Sequence, residues 1–370
     1  MKPNVILVLI DGARYDRLDI SDEFNEMKQY GFLMNNISTA IPYTVGSVNC
    51  MFSGLYGKEN GIDAYYKMLN LKDSVRTLSE MLHDNGYFTC CDLLHKKIIS
   101  TRGFDIHQAH DEYNDDLFTR HPKFLEHCFI ESNDKPLFCF LHFTEIHKVT
   151  VSEILEKFEW DDDEFYDNKE KNLSNYDNVF LNSMKYAKII LEKITELKKN
   201  ENTLIIFFSD HGTGVGERFG ERNYGSFTFD ETIRTFFLFI GPKIQQNLTS
   251  DNLYGSIDIL PTILELIDIQ ESLPGISFAK SLLGKNSFEN ERKFTFSETG
   301  ALHGPFPSPE KPNVFCIKSK KYKLMYLKTP EQWKLYDLIT DPNETKNIYD
   351  TGIPDEEEMK DELLQWINRN

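Results

Sequence analysis

Asn4-Val-Ile-Leu-Val-Leu-Ile10, followed at once by Asp11, decides the fold of this chain. A near-continuous apolar run rich in Val and Ile is the pattern of a parallel strand buried on both faces. Such a strand delivers Asp11 at its carboxyl end, the edge of an open α/β sheet where ligands bind. The pattern returns at Leu137-Phe-Cys-Phe-Leu-His-Phe-Thr144, followed by Glu145 and His147, and at Asn202-Thr-Leu-Ile-Ile-Phe-Phe208, followed by Ser209, Asp210 and His211. From Leu78 to Cys90 the sequence reads as an amphipathic helix, a Gly stop and a new strand. Repetition of these units predicts an α/β fold, with a mostly parallel central sheet flanked by helices.

Working outward, Asn178 to Lys199 reads as a long amphipathic helix with a Lys-rich last turn. Trp160 to Lys171 is acidic and reads as a solvated insertion, with a carboxylate calcium site as the alternative. Thr235 to Ile240 is a further strand, and Ile257 to Ile267 a helix with Pro261 early in it. Past Arg292 the character changes. Strands at Lys293 to Ser297 and Val314 to Leu327, a turn-rich stretch and a helix from Glu356 to Ile367 predict a small antiparallel α+β subdomain. We therefore expect a catalytic domain over residues 1–290 and a subdomain over 291–370 packed on it.

The chain has 370 residues, 40% of them hydrophobic and 13% aromatic, which is the composition of a globular protein with a large core. A formal net charge of -18 argues against non-specific attraction to nucleic acid. Six cysteines with no CxxC and no regular spacing read as buried, reduced thiols. The opening apolar run is cut short by Asp11, and no stretch approaches a membrane span, so the expected location is the cytoplasm.

Three places carry candidate chemistry. Asp210-His211 at the end of a buried strand supplies an oxygen and a nitrogen ligand for a divalent metal. Asp11 adds a second carboxylate, and Arg14 stands within one turn of it. Ile41-Pro-Tyr-Thr-Val-Gly-Ser-Val-Asn-Cys-Met-Phe-Ser-Gly54 reads as a helix start that ends near Gly54. Its Thr44 is either a plain N-cap or a hydroxyl nucleophile facing an anion at the positive end of the helix. Gly212 to Gly225 is glycine-rich without the ending of a nucleotide P-loop, and reads as an active-site loop.

Taken together, these motifs resemble the alkaline phosphatase-like superfamily, in its sulfatase-type family, over nearly the whole length. Asp11-Gly-Ala-Arg-Tyr-Asp16 is similar to that family's first metal-ligand motif, with Gly12 in place of the second acid. Phe207-Phe-Ser-Asp-His-Gly212 followed by Gly216-Glu217 resembles its Asp-His-Gly motif. Ser256 to Thr262, Leu273 to Ser277, Lys321 to Leu324, Leu335 to Leu338 and Asp341 to Asn347 resemble its later elements. In the sulfatase register, Thr44-Val-Gly-Ser-Val48 stands where Cys/Ser-x-Pro-Ser-Arg is oxidised to formylglycine. Thr carries a methyl on its carbinol carbon and cannot become an aldehyde. The segment Thr44 to Ser53 is instead similar to the nucleophile segment of lipid A phosphoethanolamine transferases.

The resemblance implies a metal held by Asp11, Asp210 and His211 with Thr44 at the open position, Zn²⁺ or Mn²⁺ before Ca²⁺. A second metal would draw on His147 and His303, with Glu145 a further candidate ligand. His142, Glu145 and Arg14 would touch the substrate or orient a ligand. The expected function is a metal-dependent phosphoester hydrolase or phosphotransferase with Thr44 as covalent nucleophile. The alternatives are a sulfuric ester hydrolase and a metal-binding pseudoenzyme. The expected substrate is a small-molecule or glycan phosphate or sulfate ester.

Overall fold

A computed structural model of the chain describes residues 2–67, 70–285, 291–300, 304–305 and 310–369. A nine-stranded sheet forms its centre, with β1 (Asn4–Ile10), β2 (Gly31–Ser38), β3 (Phe88–Leu93), β4 (Ile106–Ala109), β5 (Leu137–Phe143), β6 (Thr203–Phe208), β7 (Arg234–Ile240), β8 (Leu248–Ser250) and β9 (Tyr254–Gly255). The strand order is β4-β3-β5-β1-β6-β7-β2-β8, with β9 pairing β2. β1 runs parallel to β5 and β6 on either side of it, and β7 is antiparallel to both of its neighbours. This is the mostly parallel α/β sheet that the apolar runs predict.

β1 explains why the sheet is covered on both faces. All seven of its residues are buried, and alternate side chains enter different cores. Val5, Leu7 and Leu9 join one cluster, while Ile6, Val8 and Ile10 join the other. The first cluster is closed by α1 (Thr44–Ser53) through Val48, Met51 and Phe52, and by α2 (Leu78–Asp84) through Leu78, Met81 and Leu82. The second is closed by α3 (Leu117–Glu131) through Leu125 and Cys128, and by a 28-residue helix, α5 (Lys169–Glu196). Between these lies the short α4 (Glu145–Thr150), directly after β5.

The long helix starts earlier than Asn178, so it takes in the end of the expected solvated insertion. A short helix over Asp163–Asp167 precedes it and buries Phe165 completely. An apolar anchor inside an acidic stretch is invisible to charge counting. No group of metal-ligating geometry forms in that stretch among the described residues.

A second, antiparallel sheet contains β10 (Thr295–Thr299), β11 (Val314–Lys318), β12 (Tyr322–Leu327) and β13 (Gln332–Asp337), in that order. The run Val314 to Leu327 is two strands, because the chain turns over Ser319–Lys321 and pairs with itself. The last helix, α7 (Asp355–Asn368), lies beyond α6 (Ile259–Leu266) along the chain and packs Met359, Leu363 and Trp366 against this sheet. Ile41, Tyr43 and Cys50 belong to the same cluster, so the small sheet backs the segment that carries Thr44. The expected 290/291 division adjoins residues 286–290, outside the described set. All six cysteines are free and buried. Among the described residues no helix is long and apolar enough to cross a membrane.

Candidate active site

The carboxyl ends of β1 and β6 and the start of α1 meet at one point. Asp11 leaves β1, Asp210 and His211 leave β6, and Thr44 is the first residue of α1. The N-cap is Tyr43, and Thr44 makes no capping bond of its own. Its hydroxyl Oγ1 instead lies 3.2 Å from Asp11 Oδ2 and 3.3 Å from His211 Nε2. The cap reading is thereby corrected: the side chain turns away from its own helix and into the carboxylate cluster. Ser47 braces the far side, donating to the Asp210 carbonyl at 2.8 Å and accepting from Thr39 Oγ1 at 2.8 Å. Gly54, in the left-handed region at φ 67°, ends the helix as the sequence predicts.

Lone pairs converge at this point without protons to satisfy them. His211 Nδ1 faces the Gly212 carbonyl at 2.8 Å, which fixes the proton on Nδ1 and leaves Nε2 bare. Nε2 then stands 3.5 Å from both Asp11 Oδ1 and Asp210 Oδ2. Both of those oxygens are buried and lack a hydrogen-bond partner. Two bare carboxylate oxygens and a bare imidazole nitrogen, with ligand atoms within 4.8 Å of one another, fit a divalent cation. Burial raises the Asp210 carboxyl, and the neighbouring Asp11 adds to this, while His211 opposes it. Burial works the same way on Asp11, yet the hydrogen bond from His142 and the charge of His147 hold it well below the usual carboxylate range.

His142 lies behind the cluster. The Leu94 N–H points at its Nδ1 at 3.4 Å, so Nε2 carries the proton and donates it to Asp11 Oδ2 at 2.9 Å. That bond orients Asp11, the arrangement by which an outer residue fixes a ligand. Tyr224, at the end of the glycine-rich loop, lies against the His211 ring with centroids 4.2 Å apart.

Other candidates fall outside this set. His147 in α4 is bonded through Nδ1 to Glu112 at 2.7 Å. Burial opposes its charge, but Glu112, Asp11 and Asp210 push it up to about 9. Glu145 faces Lys148 at 3.9 Å and is partly exposed. The Arg14 guanidinium is taken up by Asp16, Glu217 and the Thr213 carbonyl. His303 lies outside the described residues. Glu112 and Tyr224 were not foreseen, since nothing local in sequence ties either to the Asp-His motif.

Comparisons with known proteins place the chain in a family. The Sulfatase family model matches residues 3–269, which include Asp11, Thr44, Asp210 and His211. A second model, N-sulphoglucosamine sulphohydrolase, C-terminal, matches residues 220–369. The Delta 4,5-hexuronate-2-O-sulfatase of Bacteroides thetaiotaomicron is 26% identical over 189 residues, covering 48% of this chain and 38% of that protein. The chain spans well under half the length of the curated relatives it matches. A protein solved in complex with its substrate D-glucosamine-2-N,6-O-disulfate superposes with a TM-score of 0.75 at 16% identity, over 99% of this chain and 97% of that one. The phosphonate monoester hydrolase of Agrobacterium radiobacter gives 0.74 at 15% identity, over 98% and 95%. At these identities the structural likenesses speak for the fold alone.

Proposed function

Because this chain belongs to the sulfatase family, we propose that it is a metal-dependent hydrolase of sulfate esters whose nucleophile is the Thr44 hydroxyl itself. The observation that carries this reading is Thr44 Oγ1 standing between Asp11 and His211, 3.2 and 3.3 Å away. A bound divalent cation supplies the charge that acidifies this hydroxyl and neutralises the ester oxygens. Asp11, Asp210 and His211 would hold it. Family membership favours Ca²⁺, whereas the imidazole ligand also suits Zn²⁺ or Mn²⁺.

The rest of the chemistry belongs to the chain. The first turn of α1 carries N–H groups with no partner within the helix, and the helix dipole there favours an anion. Asp11 Oδ2, held in place by His142, accepts the hydrogen bond of the Thr44 hydroxyl and orients its oxygen, and the proton passes to solvent as the hydroxyl reacts. The Thr44 Oγ1–sulfur bond forms as the bond from sulfur to the leaving oxygen breaks, and the leaving alcohol takes up a proton. Water then attacks sulfur, releasing sulfate and restoring the hydroxyl. This route needs no aldehyde, which a threonine cannot provide. The curated relatives, among them a hexuronate-2-O-sulfatase, favour a glycan sulfate ester as substrate.

A second reading rests on Thr44 in particular. An unmodified hydroxyl nucleophile suits phosphorus as well as sulfur, and the Thr44 to Ser53 segment resembles that of phosphoethanolamine transferases. On this reading the enzyme is a phosphoester hydrolase or phosphotransferase with the same groups in the same roles. Initial rates on matched aryl sulfate, phosphate monoester, phosphate diester and phosphonate monoester, each with Ca²⁺, Zn²⁺ and Mn²⁺, separate the two. A sulfate preference lost in Thr44→Ala supports the first reading, and a phosphoryl preference lost in that variant supports the second. Turnover that survives Thr44→Ala overturns Thr44 as nucleophile, and no turnover of any ester with metal bound would point to a pseudoenzyme.

A further inference from the structure

Beside the site just described, and sharing no residue with it, three buried side chains converge in a second cluster. Asp92 is on β3, His110 directly follows β4 and His121 is on α3. The side chains of all three have no exposed surface, and their ligand atoms lie within 4.8 Å of one another. His110 Nδ1 is 3.2 Å from Asp92 Oδ1, and His121 Nε2 is 4.0 Å from Asp92 Oδ2.

His121 carries the argument. Its Nδ1 is engaged by the Tyr186 hydroxyl, while its Nε2, fully buried and aimed at Asp92, has no hydrogen-bond partner. A ring anchored on one nitrogen and bare on the other is how a metal-ligating histidine is held. A water needs several polar partners to stay in such a place, and two imidazoles with one carboxylate suit a zinc-like ion better than Ca²⁺ or Mg²⁺. We propose that Asp92, His110 and His121 form a second cation site, for Zn²⁺ or a similar transition ion, that ties α3 to the ends of β3 and β4.

Arg120 is the contact that competes with a cation here, since its Nε donates to Asp92 Oδ2 at 2.6 Å. It is not dependent on Asp92, because its Nη1 reaches Asp115 at 3.3 Å and its Nη2 the Ala109 carbonyl at 3.3 Å. Asp92 Oδ1 and the two rings can therefore close on an ion while the guanidinium keeps other partners. Thr144 Oγ1 lies 3.5 Å from the other nitrogen of His110, Nε2, where it helps to set the ring's orientation. With every ligand enclosed, the ion would brace the fold and would not meet substrate. Its position still bears on the active site, because the His110 ring is 6.4 Å from the ring of His142.

The test is metal content and location in the whole chain loaded with Zn²⁺ and freed of excess by gel filtration. Elemental analysis should give two equivalents in the wild type, one in Asp210→Asn and one in His121→Ala. An anomalous difference map of wild-type crystals, recorded at the zinc edge, should show a peak among Asp92, His110 and His121. The map needs no variant, so it decides the matter if His121→Ala fails to fold. A peak at Asp11, Asp210 and His211 alone, or one equivalent that His121→Ala leaves unchanged, overturns the second site and leaves the first intact. The converse pattern, a peak at the second cluster alone, supports this proposal and counts against the cation of the active-site reading.

Discussion

Thr44 Oγ1 lies 3.2 Å from Asp11 Oδ2 although 33 residues separate them. The strand end and the helix start that meet here come from separate parts of the sheet, since β1 is central and β2, which leads to α1, lies beyond β6 and β7. The contact converts an ordinary helix-starting threonine into a candidate nucleophile. Removing the hydroxyl in Thr44→Ala should lower turnover of the preferred ester by about a thousandfold or more, the scale seen when a covalent nucleophile is lost. Thr44→Ser keeps the oxygen and should retain measurable rate. Steady-state kinetics on both variants, beside their metal content, checks this, because the three remaining ligands should still hold the ion in the alanine variant.

The Asp210-His211 pair should decide metal retention. Asp210 Oδ2 and Asp11 Oδ1 are bare and buried, so replacing either carboxylate by an amide removes charge that would attract a cation. Asp210→Asn and His211→Ala should each weaken cation binding by more than about a hundredfold, beyond the usual effect of residues that merely orient ligands. His142→Ala, which loosens Asp11 without removing a ligand, should fall in the range of about ten to a hundredfold. Isothermal titration of the metal-free chain with each ion gives these values directly. Equal affinity in wild type and Asp210→Asn would move the metal elsewhere.

These candidate ligands were legible for a simple reason. Asp11 and Asp210 each follow an apolar strand with no break, and the sheet's topology brings parallel strand ends to one edge. The long amphipathic helix, the αβ unit after Leu78 and the C-terminal antiparallel sheet were legible for the same kind of reason, local periodicity. What sequence could not give was pairing across distance. Glu112, which holds His147, and Tyr224, which covers His211, reach the site only through tertiary packing. Asp92 stands one residue before the end of a buried strand, as Asp11 and Asp210 follow theirs, and the Cys90-Cys91-Asp92 stretch carries that signal. Its histidine partners lie 18 and 29 positions further along the sequence and arrive from separate elements, which no spacing rule links.

Glu221 makes stability depend on pH. Burial, with Glu231 nearby, pushes its carboxyl from 4.5 to about 8, against the N–H groups of Phe227 and Ser226 and the charge of Arg218. A carboxyl raised in the folded state favours folding in its protonated form. Its contribution is therefore fully present below about pH 4.5 and is lost progressively as pH rises through about 8. Glu221→Gln keeps an acceptor for the two N–H donors, 3.1 and 3.0 Å from Oε1, and cannot ionise. Relative to wild type it should gain on the order of 1–2 kcal/mol between pH 5 and pH 8, read as a difference in chemical-denaturation midpoint. Parallel pH profiles of the two proteins would exclude Glu221 as the source.

Gly12 couples the opening motif to the ligands. It stands at φ 70°, where a side chain is strained, and a Cβ there would lie 2.8 Å from Thr213 Oγ1. Its N–H reaches Asp210 Oδ1 at 3.3 Å, and its carbonyl accepts from Thr213 Oγ1 and Tyr176 Oη at 2.8 and 2.9 Å. The residue therefore does more than fill the place of a second acid: its backbone positions Asp210. Gly12→Ala should cost about 1–2 kcal/mol from the left-handed backbone, and more if Thr213 is pushed off the carbonyl. Because the shift runs through Asp210, metal affinity should fall together with stability. Thermal unfolding with and without added cation measures both at once. A variant that loses melting temperature equally in the two conditions would separate Gly12 from the metal site, whereas a smaller cation-induced rise in melting temperature than in wild type would tie them together.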